Sequence, residues 1–344
     1  MITMQPLELA FLTQCAFLNR KRLSYIREHY FSIEELKKDI FKTCFHGTLH
    51  ISQENCRNLR GVLDTFDTQV FGTYLAKHGI IPIDQTSEYF PFLLKHIPDP
   101  PLLLFLTGNK NLLKTECISI VGTRKPSSYG RQVVGSVMGD MHDLTVVSGG
   151  AYGIDQLAHE EAMRQGKSTI VVLGMGLMRM HTNIRDNSIF HKHENKVLYI
   201  SEYFPNFWGS KYTFPERNRI ISGLSKAVIV VEAPKRSGSL ITANFALEQG
   251  RDVISVPGPI FNNQSVGTNE LLSCSAHPYS REVINNIYKK TIQLNFEENA
   301  VLSQLEEPKY LDELDVDNVL TIVSSLEIHG LITKMSDGRW KKRL

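Results

Sequence analysis

The chain has 344 residues, 42% apolar and 22% charged, a balance that excludes disordered and fibrous classes and by length allows two or three domains. Thirty-eight Lys and Arg against 36 Asp and Glu give a net charge of +2, and even residues 117–282 carry only 17 basic against 14 acidic side chains. A nucleic-acid partner is therefore allowed only if cations are focused in one groove. Apolar runs reach no more than five residues, as in Leu102–Leu106, far short of the ~20 that a membrane-spanning helix needs. Met1–Leu18 lacks the basic leader of a secretory signal and carries Glu8. The five cysteines (Cys15, Cys44, Cys56, Cys117, Cys274) form no CxxC, which disfavours a disulfide framework and a zinc site. A cytoplasmic protein with no membrane association and no metal is expected.

In chain order, residues 1–80 show short pieces with helical apolar spacing (Leu7–Phe17, Leu23–Tyr30, Val70–His78), the pattern of a small helical domain. Pro82, Pro91, Pro98, Pro100 and Pro101 then read as an extended connector. Residues 81–285 hold the clearest periodicity. Short β-branched runs recur at Cys117–Val121, Thr145–Ser148, Ser168–Leu173, Lys196–Ser201, Ala227–Glu232 and Asp252–Val256. Each is apolar on both faces, as strands of a covered parallel sheet must be. Helical spacing lies between them, as in Ser239–Gln249 with Gly250 as a stop. This predicts an α/β fold with a doubly wound, mostly parallel sheet of about six strands. Residues 296–344 give two helical patterns and then strand residues broken by Asp337-Gly338, a helix, helix and wing order that fits a winged-helix module.

Four segments with glycine and polar chemistry fall at C-terminal ends of strands, the edge where open α/β sheets bind ligands. In the first, Gly122-Thr123-Arg124 leaves a strand and runs through Ser127 and Ser128 into a helix; backbone N–H groups and the helix dipole there suit an anion. The second, Ser148-Gly149-Gly150-Ala151-Tyr152-Gly153, allows a ligand close to the backbone or simply a tight strand-to-helix turn. In the third, Lys211 and Phe214 precede Arg217-Asn218-Arg219; an aromatic platform beside cations is what single-stranded nucleic acid needs. A core Phe214 with ion-paired arginines is the alternative. The fourth, Ser237-Gly238-Ser239, follows Lys235-Arg236 and opens a helix, a second place for phosphate.

Catalytic constellations are thin. Asp155 and His159 stand one helical turn apart, but an N-cap aspartate beside a surface histidine accounts for them without chemistry. His191 and His193 lack the partners of a metal site. Gly174-Met175-Gly176 has Arg179 where the dinucleotide fingerprint needs its third glycine. No catalytic residue and no cofactor is assigned. A binding protein is the leading reading, and a nucleotide-binding phosphoribohydrolase-type enzyme is the rival, since loops of this kind also cradle nucleoside phosphates.

The segments VGTRKPSSYG, SGGAYGIDQLAHEEA, VVLGMG, ISEYFP, FPERNRIISGLS and VVEAPKRSGSLITANFALEQGRDVISVPG, with the later Gly267-Thr268-Asn269-Glu270-Leu271-Leu272, closely resemble the DNA-processing protein A (Smf) family over about residues 85–275. That resemblance implies an extended Rossmann-like fold, with a sterile-alpha-motif-like domain before it and a winged-helix domain after it. It implies a recombination mediator of natural transformation that binds single-stranded DNA, forms a homodimer, protects incoming DNA and helps load a RecA-type recombinase. The family's glycine–hydroxyl–arginine motif falls on Gly122, Thr123 and Arg124, and its base-contacting lysine and phenylalanine on Lys211 and Phe214. Arg124, Lys211, Arg217 and Arg219 are expected on phosphates, with Phe214 stacking a base. After Gly176 the family's aspartate and Tyr-Pro are replaced by Met178, His181 and Thr182. Residues 297–317 hold eight acidic residues against Lys309 alone, so 296–344 is not expected to be the main DNA-binding element.

Overall fold

The computed structural model describes residues 4–344 apart from 46–48, 50, 142, 181–192, 289–295, 306, 315–317, 329–331, 336 and 343–344. His181, Thr182 and His191 lie outside the described residues. The chain divides into two compact units, Met1–Ile287 and Tyr288–Leu344. No helix among the described residues is long and apolar enough to cross a membrane.

The first unit is built on a nine-stranded sheet: β1 (Ile81–Asp84), β2 (Leu103–Gly108), β3 (Cys117–Val121), β4 (Thr145–Ser148), β5 (Thr169–Leu173), β6 (Val197–Ser201), β7 (Ala227–Val230), β8 (Asp252–Ser255) and β9 (His277–Pro278), in the spatial order β1-β2-β6-β5-β4-β3-β7-β8-β9. The six expected strands form its parallel centre, with pairs such as Ile118↔Val146 and Ile120↔Ile229. Every residue of β3, β4 and β5 is buried, the two-sided burial that their unbroken apolar runs require. The sheet grows beyond the expected six through β2, antiparallel to β6, and β1, antiparallel to β2, and through β9 beside β8. The proline-rich stretch is thus no mere connector. Pro82 sits in edge strand β1, where a missing N–H leaves no inner ladder bond unmade.

The N-terminal helices Pro6–Leu12, Arg20–His29, Ile33–Phe45, Gln53–Asp64 and Thr68–Lys77 belong to the same compact unit as the sheet. Side chains cap several of them: Asn19, Ser32, Ser52 and Asp67 each accept a backbone N–H of the first turn. Phe71 stacks on Phe204 after β6 at 6.2 Å between ring centres. Ion pairs join them too. Arg27 pairs with the buried Asp84 of β1 at 3.2 Å, and Arg20 bonds to Asp99 and to Glu216.

The second unit has its own core of Val301, Leu305, Leu314, Ile322, Val323, Leu326, Ile332 and Trp340. Helices Phe296–Gln304 and Val319–Ile328 flank a 3-10 turn at Leu311–Glu313, and β10 (Ile332–Lys334) pairs antiparallel with β11 (Trp340–Lys342). The expected order of two helices and then a pair of short antiparallel strands is present, with the 3-10 turn between the helices.

Arg219 sets a test of this packing. Its guanidinium is buried and lies 2.5 Å from the partly shielded Glu202 carboxylate. Removing one partner of such a pair is costly, even though Arg20 Nε remains 3.8 Å from Glu202. Arg219→Ala should lower the unfolding free energy by about 3–5 kcal/mol in urea titration. The exposed control Arg164→Ala, which loses only an i,i+3 pair with Glu161, should stay within about 0.5 kcal/mol.

Candidate nucleic-acid interface

The chain order reverses at β3: β4, β5 and β6 follow on one side of it, whereas β7 and β8 return on the other. A crevice opens outside the strand ends at such a reversal. It holds a cavity of about 920 Å³, and all four glycine and polar segments line it. From β3 come Gly122, Thr123, Arg124 and Lys125; from β4, Gly149 and Tyr152. From the loop before helix Thr213–Gly223 come Lys211 and Phe214, and from the β7 side Arg236, Ser237, Gly238 and Ser239. Arg124, Lys125, Lys211 and Arg236 are exposed, so a nearly neutral chain focuses four cations on one cleft.

Two buried charges knit the floor. The Arg217 guanidinium donates to the carbonyl oxygen of Gly149 at 2.8 Å, to that of Val172, and through Nε to Asn218 Oδ1 at 3.2 Å. Asp155 lies beside it and accepts backbone N–H bonds from Ala151, Gly149 and Gly122. The ends of β3, β4 and β5 are thereby tied to the helix that carries Phe214. Burial pushes the Asp155 carboxyl up to about 6, against the pull of Arg217 and those N–H groups. Burial lowers Arg217 to about 10, with Asp155 pulling the other way. Gly153 enters helix Ile154–Arg164 at φ +93°, and a Cβ there would lie 2.3 Å from the Thr123 carbonyl oxygen. Only glycine lets the first two loops meet so closely.

Phe214 is half-buried, packed on Gly174, where a Cβ would come 2.8 Å from its ring. Thr213 fixes its approach, donating through Oγ1 to the Gly174 carbonyl at 2.7 Å. Asn218 lines the cavity and donates to the Gly238 carbonyl at 3.2 Å. Ser237 caps helix Gly238–Glu248 by accepting from Ser239 N.

Several expectations need correction. Arg217 lines the cavity with its Nη1 bonded to carbonyl oxygens and its Nε to Asn218, so it builds the floor. Arg219 does not reach the cleft; Glu202 and Asp99 hold it. Ser148 is buried in its strand and donates to the Ile120 carbonyl at 2.6 Å. The helix Ser128–Asp140, expected to offer its N-terminus to an anion, is already closed from within. Buried Glu232 accepts from Ser127 N at 2.9 Å and Ser127 Oγ at 2.5 Å, and a carboxylate there opposes a second negative group. That leaves the exposed cations of the rim as the positive groups open to a ligand. Asp155 is no N-cap, since Gly153 holds that position, and His159 is not on the surface. It is buried with Nδ1 2.7 Å from Thr169 Oγ1, and burial lowers it to about 3. Lys125, Tyr152 and Gln264 also line the cavity; Tyr152, an aromatic between glycines, was the readable signal among them.

A family model for DNA recombination-mediator protein A matches residues 82–291, well over half of the chain. The chain belongs to the DNA recombination-mediator protein A family. It is 41% identical over 203 residues to the DNA processing protein DprA of Bacillus subtilis, a stretch that is 58% of this chain and 68% of that protein. The crystal structure of DNA processing protein A from Streptococcus pneumoniae is similar at a TM-score of 0.68 and 30% identity, covering 85% of this chain and 99% of that one. A structure of DNA processing protein A from Helicobacter pylori, described for its single-stranded DNA binding mode, has a TM-score of 0.53 and 28% identity over 61% of this chain and 96% of that one. Family membership agrees with a DNA-processing role.

The carboxyl at the floor gives a pH signature. The folded chain holds the Asp155 proton more tightly than the ordinary value of 3.8 would. A folded state that binds more protons than the unfolded one loses stability as pH rises, here between 3.8 and about 6. The slope from one group is at most ~1.4 kcal/mol per pH unit. Asp155→Asn should flatten that segment of the urea midpoint measured against pH.

Proposed function

We propose that the cleft binds single-stranded DNA and that the chain acts in recombination by holding that strand, without turnover of nucleoside phosphates. The observation that carries the reading is the cleft itself: four exposed cations ring a cavity that contains an aromatic ring held on its edge. Cations track a backbone and a ring stacks any base, which gives affinity with little sequence preference. The Helicobacter pylori relative, described by its single-stranded DNA binding, supports the same ligand here.

The finer reading follows the family. The strand comes from DNA taken up in natural transformation, is protected while bound, and is handed to a RecA-type recombinase in the cytoplasm. The N-terminal helices act as a sterile-alpha-motif-like domain and residues 296–344 as a winged-helix domain, with the Rossmann-like sheet between them as the DNA-binding element. A homodimer forms through the β7–β9 end of the sheet, where the two-residue edge strand β9 is exposed and an uncovered edge invites pairing.

Arg124 and Phe214 separate a built pocket from general basic attraction. Phe214→Ala removes a stack worth ~1–3 kcal/mol, so binding of oligothymidylate should weaken roughly 5- to 150-fold with an unchanged salt slope. Arg124→Ala should weaken binding and reduce the slope of log affinity against log salt by about 0.7. Normal binding by both variants, with circular dichroism unchanged, would place the DNA elsewhere.

A further inference from the structure

Two exposed rings beside the cleft play no part in that pocket. Trp208 is 72% exposed and Tyr212 71%. Each carries a cation over its face: Arg179 Cζ stands 4.0 Å from the Trp208 ring centre, and Lys211 Nζ 5.0 Å from that of Tyr212. The loop under them is fixed. Gly176 N donates to the Phe207 carbonyl at 2.8 Å, Met178 N to that of Pro205 at 3.0 Å, and Arg179 Nε to that of Asn206 at 3.1 Å. Asn206 Nδ2 also donates to the Tyr74 hydroxyl at 2.8 Å. A Cβ at Gly176 would lie 2.2 Å from the carbonyl oxygens of Phe204 and Pro205, so glycine is needed for this approach.

Rings held out of the core by a fixed backbone present their faces to solvent. They are also continuous with the cleft. Lys211 both lines the cavity and covers Tyr212. Gly209, next to Trp208, packs on the cavity ring, where its Cβ would lie 3.3 Å from Phe214 Cζ. The cleft runs across the strand ends from β7 through β3 and β4 to β5, and Trp208, in the loop that follows β6, meets Arg179, which follows β5.

We propose that Trp208 and Tyr212 form a second base-stacking station for a single strand leaving the cleft at its β5–β6 end, with Arg179 and Lys211 beside its phosphates. The proposal rests on the reading of the cleft above. Every base has a face to stack, so the station lengthens the bound strand without selecting sequence.

Oligothymidylates of about 4 and about 16 nucleotides, spanning the lengths that single-strand grooves occupy, separate the two sites. Fluorescence anisotropy should show Phe214→Ala weakening both lengths. Trp208→Ala and Tyr212→Ala should leave the short strand unchanged and weaken the long one roughly 5- to 150-fold. The other tryptophan, Trp340, is buried, so the long strand should quench indole emission in the native chain and not in Trp208→Phe. Long-strand binding by both ring variants as tight as the native chain's, or an emission that saturating long strand leaves unchanged, overturns the station while the cleft reading stands. Failure of the native chain to bind either length overturns both.

Discussion

The pair of buried charges at the strand ends, Arg217 and Asp155, is the constraint on which the cleft depends. Arg217 holds the carbonyl oxygens of Gly149 and Val172, and Asp155 gathers backbone N–H groups from Ala151, Gly149 and Gly122. Each charge satisfies backbone groups that a sharp strand-to-helix turn leaves without a ladder partner. Two fully buried charges cost solvation, and the cost is offset only while every one of these bonds is made. The three loops therefore keep one arrangement, and the backbone that carries the rim cations is set before any ligand arrives. Preorganisation of this kind lowers the ordering cost of binding.

A second internal anion shapes the same cleft. Glu232 leaves β7, is buried, and closes the N-terminus of helix Ser128–Asp140 through Ser127. That end of the first loop is already charge-balanced, which moves the attraction for phosphate outward to Arg124, Lys125, Lys211 and Arg236. The result is an open track of flexible cations over a rigid floor. Such a track suits a polymer that must slide or be handed on better than it suits a small nucleotide held at one spot.

The central strands and the four loops were legible because a two-sided parallel strand has an unbroken apolar run and a strand-to-helix turn advertises its glycines. Strands β1 and β9 were not: each is short, contains a proline and lies at an edge, where packing on one neighbour sustains four or two residues. β2 was visible only as an apolar run, since its antiparallel pairing with β6 is a tertiary fact. The arginines of the third segment show the limit most plainly. Arg217 and Arg219 are two residues apart on one helix, so they face different ways. One meets carbonyl oxygens and the other meets Glu202. Nothing in the spacing says that either is consumed internally, because the partners come from β4, β5 and the segment after β6.

The central claim is that Arg217 and Asp155 hold a cleft whose rim, and not whose floor, meets the strand. A crystal structure of the chain with bound oligothymidylate tests it directly. The account predicts phosphates beside Arg124 and Lys211, a base against Phe214, and Arg217 still bonded to the carbonyl oxygens of Gly149 and Val172. A strand lying on another face with the cleft empty, or a phosphate on Arg217, would contradict it.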